Sequence, residues 1–315
     1  MDIFRDYFTR EQLLASIVKA PYIPSRLAEY FTTIPMTSTV LALESVPDNG
    51  PAVMAATPRG TASKTETLQK AAAYTFVADH RRYDAAVYAD EVLNMRAVGL
   101  QLAADIVQAR RDALVAKLRN DVDYTHESMR LACVVTPTNA FGTMPASQQI
   151  ALNTDATKTR SEIFTKIRTP IRNALGGVPF RGIKALCSAG FWAKFIENAA
   201  VKATYLNTSM AQSLRGDTIE VVNFGGVEWE YYDGTGTIVV PTDEARVFPV
   251  GVQDMFIQGF APADTFDSVG MGAMGAPYIL NAYASTDNRR YHLEMQTNAV
   301  MVCTRPTAVL QITTN

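Results

Sequence analysis

The stretch whose spacing most suggests chemistry is Gly270–Gly275, which matches the G-x-G-x-x-G pattern of dinucleotide-binding loops. That fingerprint needs a strand before it and a helix after it, because the helix N-terminus holds the pyrophosphate. Here Ala263–Asp267 precedes the glycines and Pro277 follows them. Asp287 also comes too early for the acidic residue expected about 20 positions further on. The pattern therefore predicts a flexible loop rather than a nucleotide site.

The cysteines and histidines do not form a catalytic or metal-binding pattern. Cys133, Cys187 and Cys303 lie far apart among apolar neighbours, which is typical of free, buried thiols in a reducing compartment. Cys187 is a poor nucleophile, because no histidine lies near it and apolar surroundings raise the pKa of a thiol. His126 and Cys133 could share a helix face, but two ligands do not make a zinc site. No G-x-S-x-G, P-loop or H-E-x-x-H motif occurs, so we predict no enzyme activity, metal or cofactor.

Composition sets the class of protein. At 315 residues the chain is long enough for roughly two domains. Hydrophobic residues make up 48% and charged residues 19%, a globular balance, and the formal net charge of -2 does not mark a nucleic-acid or membrane binder. No run reaches the ~20 apolar residues that span a bilayer, and the mixed charges of Met1–Asp6 are unlike a signal peptide. We therefore expect a soluble chain that is not exported.

The first 85 residues have the composition of an arm followed by extended chain. Residues 1–36 are apolar but interrupted by proline, so they cannot form their own core and must lie against something else. In residues 37–85, the strand candidate Thr39–Val46 ends at a dense turn signal, and Thr65–Ala78 returns. A lone hairpin is marginal in water. Either this hairpin projects and docks on a neighbouring subunit, or it packs on its own domain.

Three helical regions follow. Asp90–Val134 has apolar residues at helical spacing and could form one long helix. Thr159 and Glu162 fit a capping box that opens a second helix, with a kink expected at Pro170 and its end at Gly176-Gly177. The 3,4 spacing of Trp192–Met210 predicts a third helix whose aromatic side chains belong to the core.

Short apolar runs predict strands before and after the third helix. These runs are Ile183–Cys187, Ile219–Phe224 and Val227–Tyr232 joined by Gly225-Gly226, Thr237–Val240, Phe248–Gly251 and Met255–Phe260. Near the C-terminus, Leu293–Met295 and Ala299–Cys303 are followed by a break at Arg305-Pro306 and then by Ala308–Ile312. A terminal strand of this kind usually closes a sheet begun much earlier, so deletion from Arg305 onward should abolish folding or assembly.

Charge is unevenly placed along the chain. Residues 158–202 hold nine Lys/Arg and two Asp/Glu, whereas residues 217–267 hold one and ten. Three interpretations stay open at this point: solvated faces on each element, surfaces that meet between identical subunits, or a basic face toward a polyanion such as packaged DNA. Under the second interpretation, reversing the charges of Arg168 and Arg172 should block assembly and leave the monomer folded.

Several short motifs spread along nearly the whole chain carry a family resemblance. They are Met1–Phe4 with Thr9–Glu11, Pro58–Gly60, Ala89–Asn94, Phe248–Gly251 with Phe260–Asp264, and Glu294–Asn298 with Cys303–Pro306. In this order and spacing they resemble the lambda-type major capsid proteins of tailed bacteriophages, the E family.

The resemblance implies the α+β tailed-phage major capsid protein fold. It assigns residues 1–36 to an N-terminal arm, 37–85 to an extended loop, 86–177 and 286–315 to a peripheral domain, and 178–285 to an axial domain. The peripheral domain would contain a long spine helix. Under this resemblance the extended loop becomes an arm between subunits.

The implied function is structural: hexamers and pentamers form an icosahedral shell around the double-stranded DNA genome of a tailed phage. The expected partners are further copies of the chain, a portal, non-specifically bound packaged DNA and a separate scaffolding protein, since the chain lacks the long helical extension of some relatives. A decoration protein is a further candidate, and no membrane is involved. The protein would reside in the virion after assembly in the host cytoplasm.

Candidate contacts between subunits are Arg59, Lys64, Glu66, Arg81, Arg82, Arg168 and Arg172. The alternatives are an encapsulin-type cage and, further off, a nucleotide-dependent enzyme.

Overall fold

The computed structural model describes residue 17 and residues 26–45, 72–91, 103–152, 158–206, 221–234, 238–266, 268 and 273–314. The strands are β1 Phe31–Pro35, β2 Val40–Glu44, β3 Ala73–Val77, β4 Asp79–Tyr88, β5 Gln148–Ile150, β6 Gly182–Cys187, β7 Val221–Phe224, β8 Val227–Tyr231, β9 Glu244–Val250, β10 Phe256–Phe260, β11 Ile279–Ala284, β12 Arg290–Cys303 and β13 Leu310–Thr314. The helices are α1 Ala103–Val135, α2 Thr159–Ile163, α3 Thr169–Leu175, α4 Ala189–Glu197 and α5 Ala199–Leu206, with a π-helical segment at Phe164–Arg168 between α2 and α3. The predicted α+β class is confirmed.

Strand β12 is the centre of a five-stranded sheet. On one side, β4 pairs antiparallel with residues 290–299. On the other side, β11 pairs with residues 291–296 and β10 with residues 299–303, both antiparallel, and β1 is parallel to β10. Strands β10 and β11 therefore lie end to end along β12. The segment between them leaves the sheet, and its described residues are 262–266, 268 and 273–278; we call residues 262–278 the excursion.

Helix α1 covers one face of this sheet. Its 33 residues correspond to about 50 Å of helix, and Val115, Leu118 and Val122 form one buried apolar cluster with Leu293 and Met295 of β12. Residue 17 of the N-terminal segment is buried in the same cluster. The long helix predicted within Asp90–Val134 is confirmed for residues 103–134.

A six-stranded sheet forms the second layer, in the order β5-β13-β9-β6-β8-β7. Its core is aromatic: the ring centroids of Phe195 and Trp229 are 4.6 Å apart, and those of Phe191 and Trp229 are 5.8 Å apart. Helix α4 supplies the two phenylalanines, as its 3,4 spacing predicts. The predicted hairpin over β7 and β8 is confirmed, with Gly225 and Gly226 both at positive φ.

Strands β2 and β3 form a two-stranded ribbon at the base of the predicted extended loop. Phe76 stacks on Phe141, and Leu41 is buried in the same cluster. The opposite face carries Val40 and Val77, which are 43% and 66% exposed. The remainder of the loop, residues 46–71, lies outside the described residues.

Two local predictions on helices are wrong. The Thr159 and Glu162 side chains do not cap α2; the Thr159 hydroxyl donates to the carbonyl of Ala151, and Glu162 accepts from the Ala151 N–H at 2.7 Å. The predicted Trp192–Met210 helix divides at Asn198, whose extended backbone ends α4 and whose side-chain oxygen accepts from the first turn of α5. In both places a polar side chain bonds a backbone partner that competes with the predicted arrangement.

Two strand expectations also need correction. Residues 238–240 do not form a strand, although Ile238 and Val240 are buried. The C-terminal runs do not close one sheet: β12 belongs to the five-stranded sheet, whereas β13 lies between β5 and β9 in the six-stranded sheet. Strands β10 and β11, which fall inside the predicted axial limits of 178–285, pair with β12 on the sheet covered by α1. Strand pairing is non-local, so a run of apolar residues cannot reveal which sheet it joins.

Candidate subunit-interaction surfaces

The structure describes four of the seven predicted contact residues. The three in the extended loop lie outside the described residues: Arg59, Lys64 and Glu66. The other four occupy two separate surfaces, with Arg81 and Arg82 on β4 and with Arg168 and Arg172 on the helical segment beside the six-stranded sheet. The structure therefore does not bring these four residues into one site.

Arg82 is engaged within the chain. Its guanidinium donates to Asp264 in the excursion and lies 3.9 Å from the carboxylate of Glu294 on β12. The Gln296 amide also donates to Asp264, at 2.8 Å. Burial by itself would raise the pKa of Asp264, but hydrogen bonds from Gln296 and the charge of Arg82 hold that pKa below its usual value. Arg82 therefore ties the base of the excursion to the sheet.

Arg81 belongs to the opposite face of β4, because side chains alternate along a strand. It lies 3.3 Å from Asp79, and both side chains are exposed. Such exposed pairs contribute little to stability. Arg81 therefore stays accessible on the surface, unlike its neighbour.

The glycine motif lies in the excursion, and Gly270–Gly272 fall outside the described residues. The N–H of Gly275 donates to the carbonyl of Met36 at 2.8 Å. A Cβ on Gly275 would lie 1.8 Å from the carbonyl oxygen of Phe260. Gly275 therefore serves close backbone packing, which gives this glycine a structural reason without a phosphate.

Two apolar side chains of the excursion face solvent. Phe266 is 97% exposed and Met274 is 65% exposed. The base beneath them is held by Asn298, whose side-chain amide donates to the carbonyl of Pro262 at 2.6 Å. Sequence reasoning did not single out Phe266, although an aromatic residue within a polar, glycine-rich loop was a visible signal.

The second surface is a row of side chains spaced four apart, Arg160, Phe164, Arg168 and Arg172, which we call the arginine stripe. Phe164 is 57% exposed, and the Cζ of Arg168 lies 5.8 Å from the centre of its ring. The π-helical segment is closed by the N–H and hydroxyl of Thr169, which both donate to the Phe164 carbonyl. This segment ends just before Pro170, where sequence reasoning expected a kink. Arg160 and Phe164 were missed, though their spacing could have found them.

Part of the charge asymmetry is neutralised inside the chain. Because β6 and β8 are parallel neighbours, Lys184 lies 3.0 Å from Glu228 and 2.5 Å from Glu230. Burial would lower the pKa of Lys184, but Glu230 and its neighbours outweigh that effect and raise it. Lys194 similarly lies 3.1 Å from Asp243. These pairs remove Lys184 and Lys194 from the charge available to a partner.

A cavity of about 350 Å³ lies between α1, the five-stranded sheet and the excursion. Its polar lining is internally bonded: Arg130 donates to Gln258 at 2.9 Å, and Tyr278 donates to Asp123. Burial lowers the pKa of His126 to about 3, with Arg130 adding to the effect, so this imidazole is neutral. Burial also raises the pKa of Asp123, against the hydrogen bond from Tyr278. The network joins the helix to the sheet.

The three cysteine thiols do not ionise readily. Burial raises the pKa of the Cys133 and Cys187 thiols well above the usual value and that of Cys303 to about 12. No group of three or more potential metal-ligating side chains occurs in the described part of the chain. Among the described helices, none has the length and apolar character needed to cross a membrane.

A long helix laid on one sheet, with a second sheet beside it and an extended ribbon, is the fold of tailed-phage capsid proteins, and solved structures bear this out. The putative capsid protein of a prophage from E. coli CFT073 is 11% identical, with a TM-score of 0.56, covering 98% of this chain and 99% of that one. The mature capsid of bacteriophage PhiM1 gives 12% identity and a TM-score of 0.53, covering 94% and 89%. The capsid of cyanophage P-SCSP1u gives 12% identity and a TM-score of 0.53, covering 94% and 90%.

Residues 9–314 match the family model described as phage major capsid protein E, and the chain belongs to that family. It is a capsid shell protein, as the resemblance in its motifs implied. No curated protein matches the sequence. The alternative of a non-viral cage has less support, because the family and the three structures above are those of phage and prophage capsids.

Proposed function

We propose that this capsid protein assembles as hexamers and pentamers into an icosahedral shell that encloses the double-stranded DNA genome of a tailed phage. The family match over residues 9–314 carries the proposal. Assembly takes place in the host cytoplasm, and the protein has no catalytic activity of its own. The test is electron microscopy of purified particles combined with nuclease treatment. Closed shells that protect DNA are expected, whereas shells filled with enzyme cargo would favour the encapsulin-type alternative.

The shell requires partners beyond the chain itself: a separate scaffolding protein, a portal at one vertex and, as a further candidate, a decoration protein. Packaged DNA is contacted only non-specifically. The net charge of -2 supports this, since a strongly basic lining would bind DNA tightly and hinder its ejection. Expression of the chain alone should give irregular aggregates or shells of variable size. Uniform shells of virion size from the chain alone would contradict the need for a scaffold.

The domain organisation is part of the proposal. We assign residues 1–36 to an N-terminal arm and 37–85 to an extended loop that reaches a neighbouring subunit. Strand pairing supports a revision of the other limits. The peripheral domain would comprise α1 with β4, β10, β11 and β12, and the axial domain would comprise the six-stranded sheet with α2 to α5.

We also propose that the predicted contact residues lie between subunits. Arg59, Lys64 and Glu66 would contact the next subunit from the extended loop. Arg81 would do so directly, whereas Arg82 would act through the excursion that it holds. Charge reversal at Arg59 should lower shell yield, and the same change at the paired, exposed Lys117 provides the control.

A further inference from the structure

The arginine stripe has the composition of a protein-protein contact. Within the described part of the chain, none of its three guanidiniums lies within 4 Å of a carboxylate; Arg160 and Arg168 instead lie over the rings of Phe224 and Phe164. Arginine and aromatic residues are enriched in the cores of interfaces, where lysine is depleted. Phe164 also has no favourable role against a phosphate backbone. These features favour a protein partner with negative charge over packaged DNA.

The stripe is fixed at one end of the six-stranded sheet. The turn between β7 and β8 is seated against it: a Cβ on Gly225 would lie 2.8 Å from Ile163, and one on Gly226 would lie 3.0 Å from the guanidinium of Arg168. This turn precedes the start of β8, and β8 runs parallel to β6. The stripe therefore lies where β6 and β8 begin.

The opposite end of the same sheet carries carboxylates. Strand β6 ends at Cys187 beside Tyr231, the last residue of β8, and the start of β9 lies there too, with Ala245 opposite Cys187. Asp233 follows β8 and is exposed. Asp243 precedes β9 with half of its side chain exposed; Lys194 pairs with its Oδ1, so the other oxygen of Asp243 and the carboxylate of Asp233 are left to accept from a partner. About six residues of strand, or roughly 20 Å, separate this acidic end from the stripe.

We propose that the arginine stripe of one copy docks on the acidic end, Asp233 and Asp243, of the six-stranded sheet in the next copy. A contact between two different ends of one sheet is heterologous, and repeated rotation closes it into a ring. Stripe-to-stripe pairing is disfavoured, because it would bring six guanidiniums together. The proposal rests on the proposed function, in which copies form hexamers and pentamers, and names one contact that would join them.

Charge reversal at both ends tests the contact. Arg168→Glu with Arg172→Glu should lower the yield of shells at least tenfold by sedimentation and electron microscopy, in co-expression with the scaffolding protein. Asp233→Arg with Asp243→Arg should do the same. Combining all four changes should restore shells, since opposite charges again meet. The matched control is Arg110→Glu with Lys117→Glu on α1, which changes the net charge equally and should leave the yield unchanged.

Folding is checked separately by circular dichroism and thermal unfolding of the unassembled protein. Phe164→Ser, at an exposed position, should keep the unfolding temperature and lower shell yield about fivefold. Normal shells from the stripe variants would overturn the inference, and normal shells with less retained DNA would assign the stripe to DNA instead. Failure of the fourfold variant to recover, with each pair of changes folded, would overturn the pairing of the two ends. Failure of the wild type to form shells would instead contradict the proposed function.

Discussion

The two sheets are joined to their helices by different chemistry. Beneath the six-stranded sheet, Trp229 packs against the two phenylalanines of α4, which also pack on each other, and all three rings are fully buried. Beneath the five-stranded sheet, α1 is joined through hydrogen bonds such as that between His126 and Thr297, at 2.7 Å. The first layer therefore depends on volume and shape, whereas the second also depends on protonation and on hydrogen bonds between side chains.

The largest expected effect comes from deleting residues 305–315. Strand β13 pairs on both sides, with β5 and β9, so its loss opens the interior of the six-stranded sheet. We expect insoluble or unfolded protein, measured by soluble yield and near-ultraviolet circular dichroism. Deleting Asn315 alone is the control. A folded, assembling truncation would show that β13 is dispensable and that the aromatic layer stands without it.

Trp229→Ala has the next largest expected effect. It should lower the free energy of unfolding by about 3–5 kcal/mol, because the neighbouring buried rings cannot move to fill the cavity that it leaves. Chemical denaturation measures the loss. Tyr283→Ala on the five-stranded sheet, 47% exposed, is the control and should stay within about 0.5 kcal/mol. A loss below about 1 kcal/mol at Trp229 would contradict the importance of shape in this layer.

The polar layer should be sensitive to acid. In the folded chain burial lowers the pKa of His126 to about 3, whereas the ordinary value is 6.5. The contribution of the buried, neutral His126 to the free energy of unfolding is fully present above pH 6.5. It is lost as pH falls toward 3, by about 1.4 kcal/mol per pH unit. His126→Gln, which can still bond Thr297, should remove this part of the pH dependence. His292→Gln, on the opposite face of β12, should leave it unchanged. Equal slopes of the free energy of unfolding against pH for the wild type and His126→Gln would refute the assignment of this pH dependence to His126.

The smallest effect concerns the two neighbouring arginines of β4. Arg82→Ala should lower the free energy of unfolding by no more than about 1 kcal/mol, because the side chain is half exposed. Arg81→Ala should lower it by less. The sharper readout is limited proteolysis. Cleavage within residues 262–278 should accelerate several-fold for Arg82→Ala and stay unchanged for Arg81→Ala. Equal cleavage of the two variants would show that Arg82 does not hold the excursion.

Local signals in the sequence predicted local structure well. The Gly225-Gly226 turn was predictable, since both positions need the positive φ that glycine adopts without strain. Helix α1 and β6 followed from their apolar spacing. The family itself was accessible because its motifs are scattered along the chain, a signal that does not depend on knowing which strands pair.

Contacts between residues distant in the sequence limited what else could be predicted. Glu162 fits a capping box by spacing, yet its carboxylate accepts a hydrogen bond from the N–H of Ala151, eleven residues earlier. Counting charges made Lys184 look available to a partner, whereas the parallel pairing of β6 with β8 brings Glu228 and Glu230 to it. The arginine stripe could have been found from its four-residue spacing, but the exposure of Phe164 could not.

The end-to-end arrangement of β10 and β11 has a consequence for engineering. Each strand has its own pairing with β12: Ala261, just after β10, still bonds Asn298, and β11 begins its pairing at Ile279. Changes in length within the excursion therefore need not propagate into the sheet. A foreign peptide inserted beside the exposed Phe266 would therefore change the contact proposed for this segment while the sheet keeps its pairing, which separates assembly from folding in a single variant.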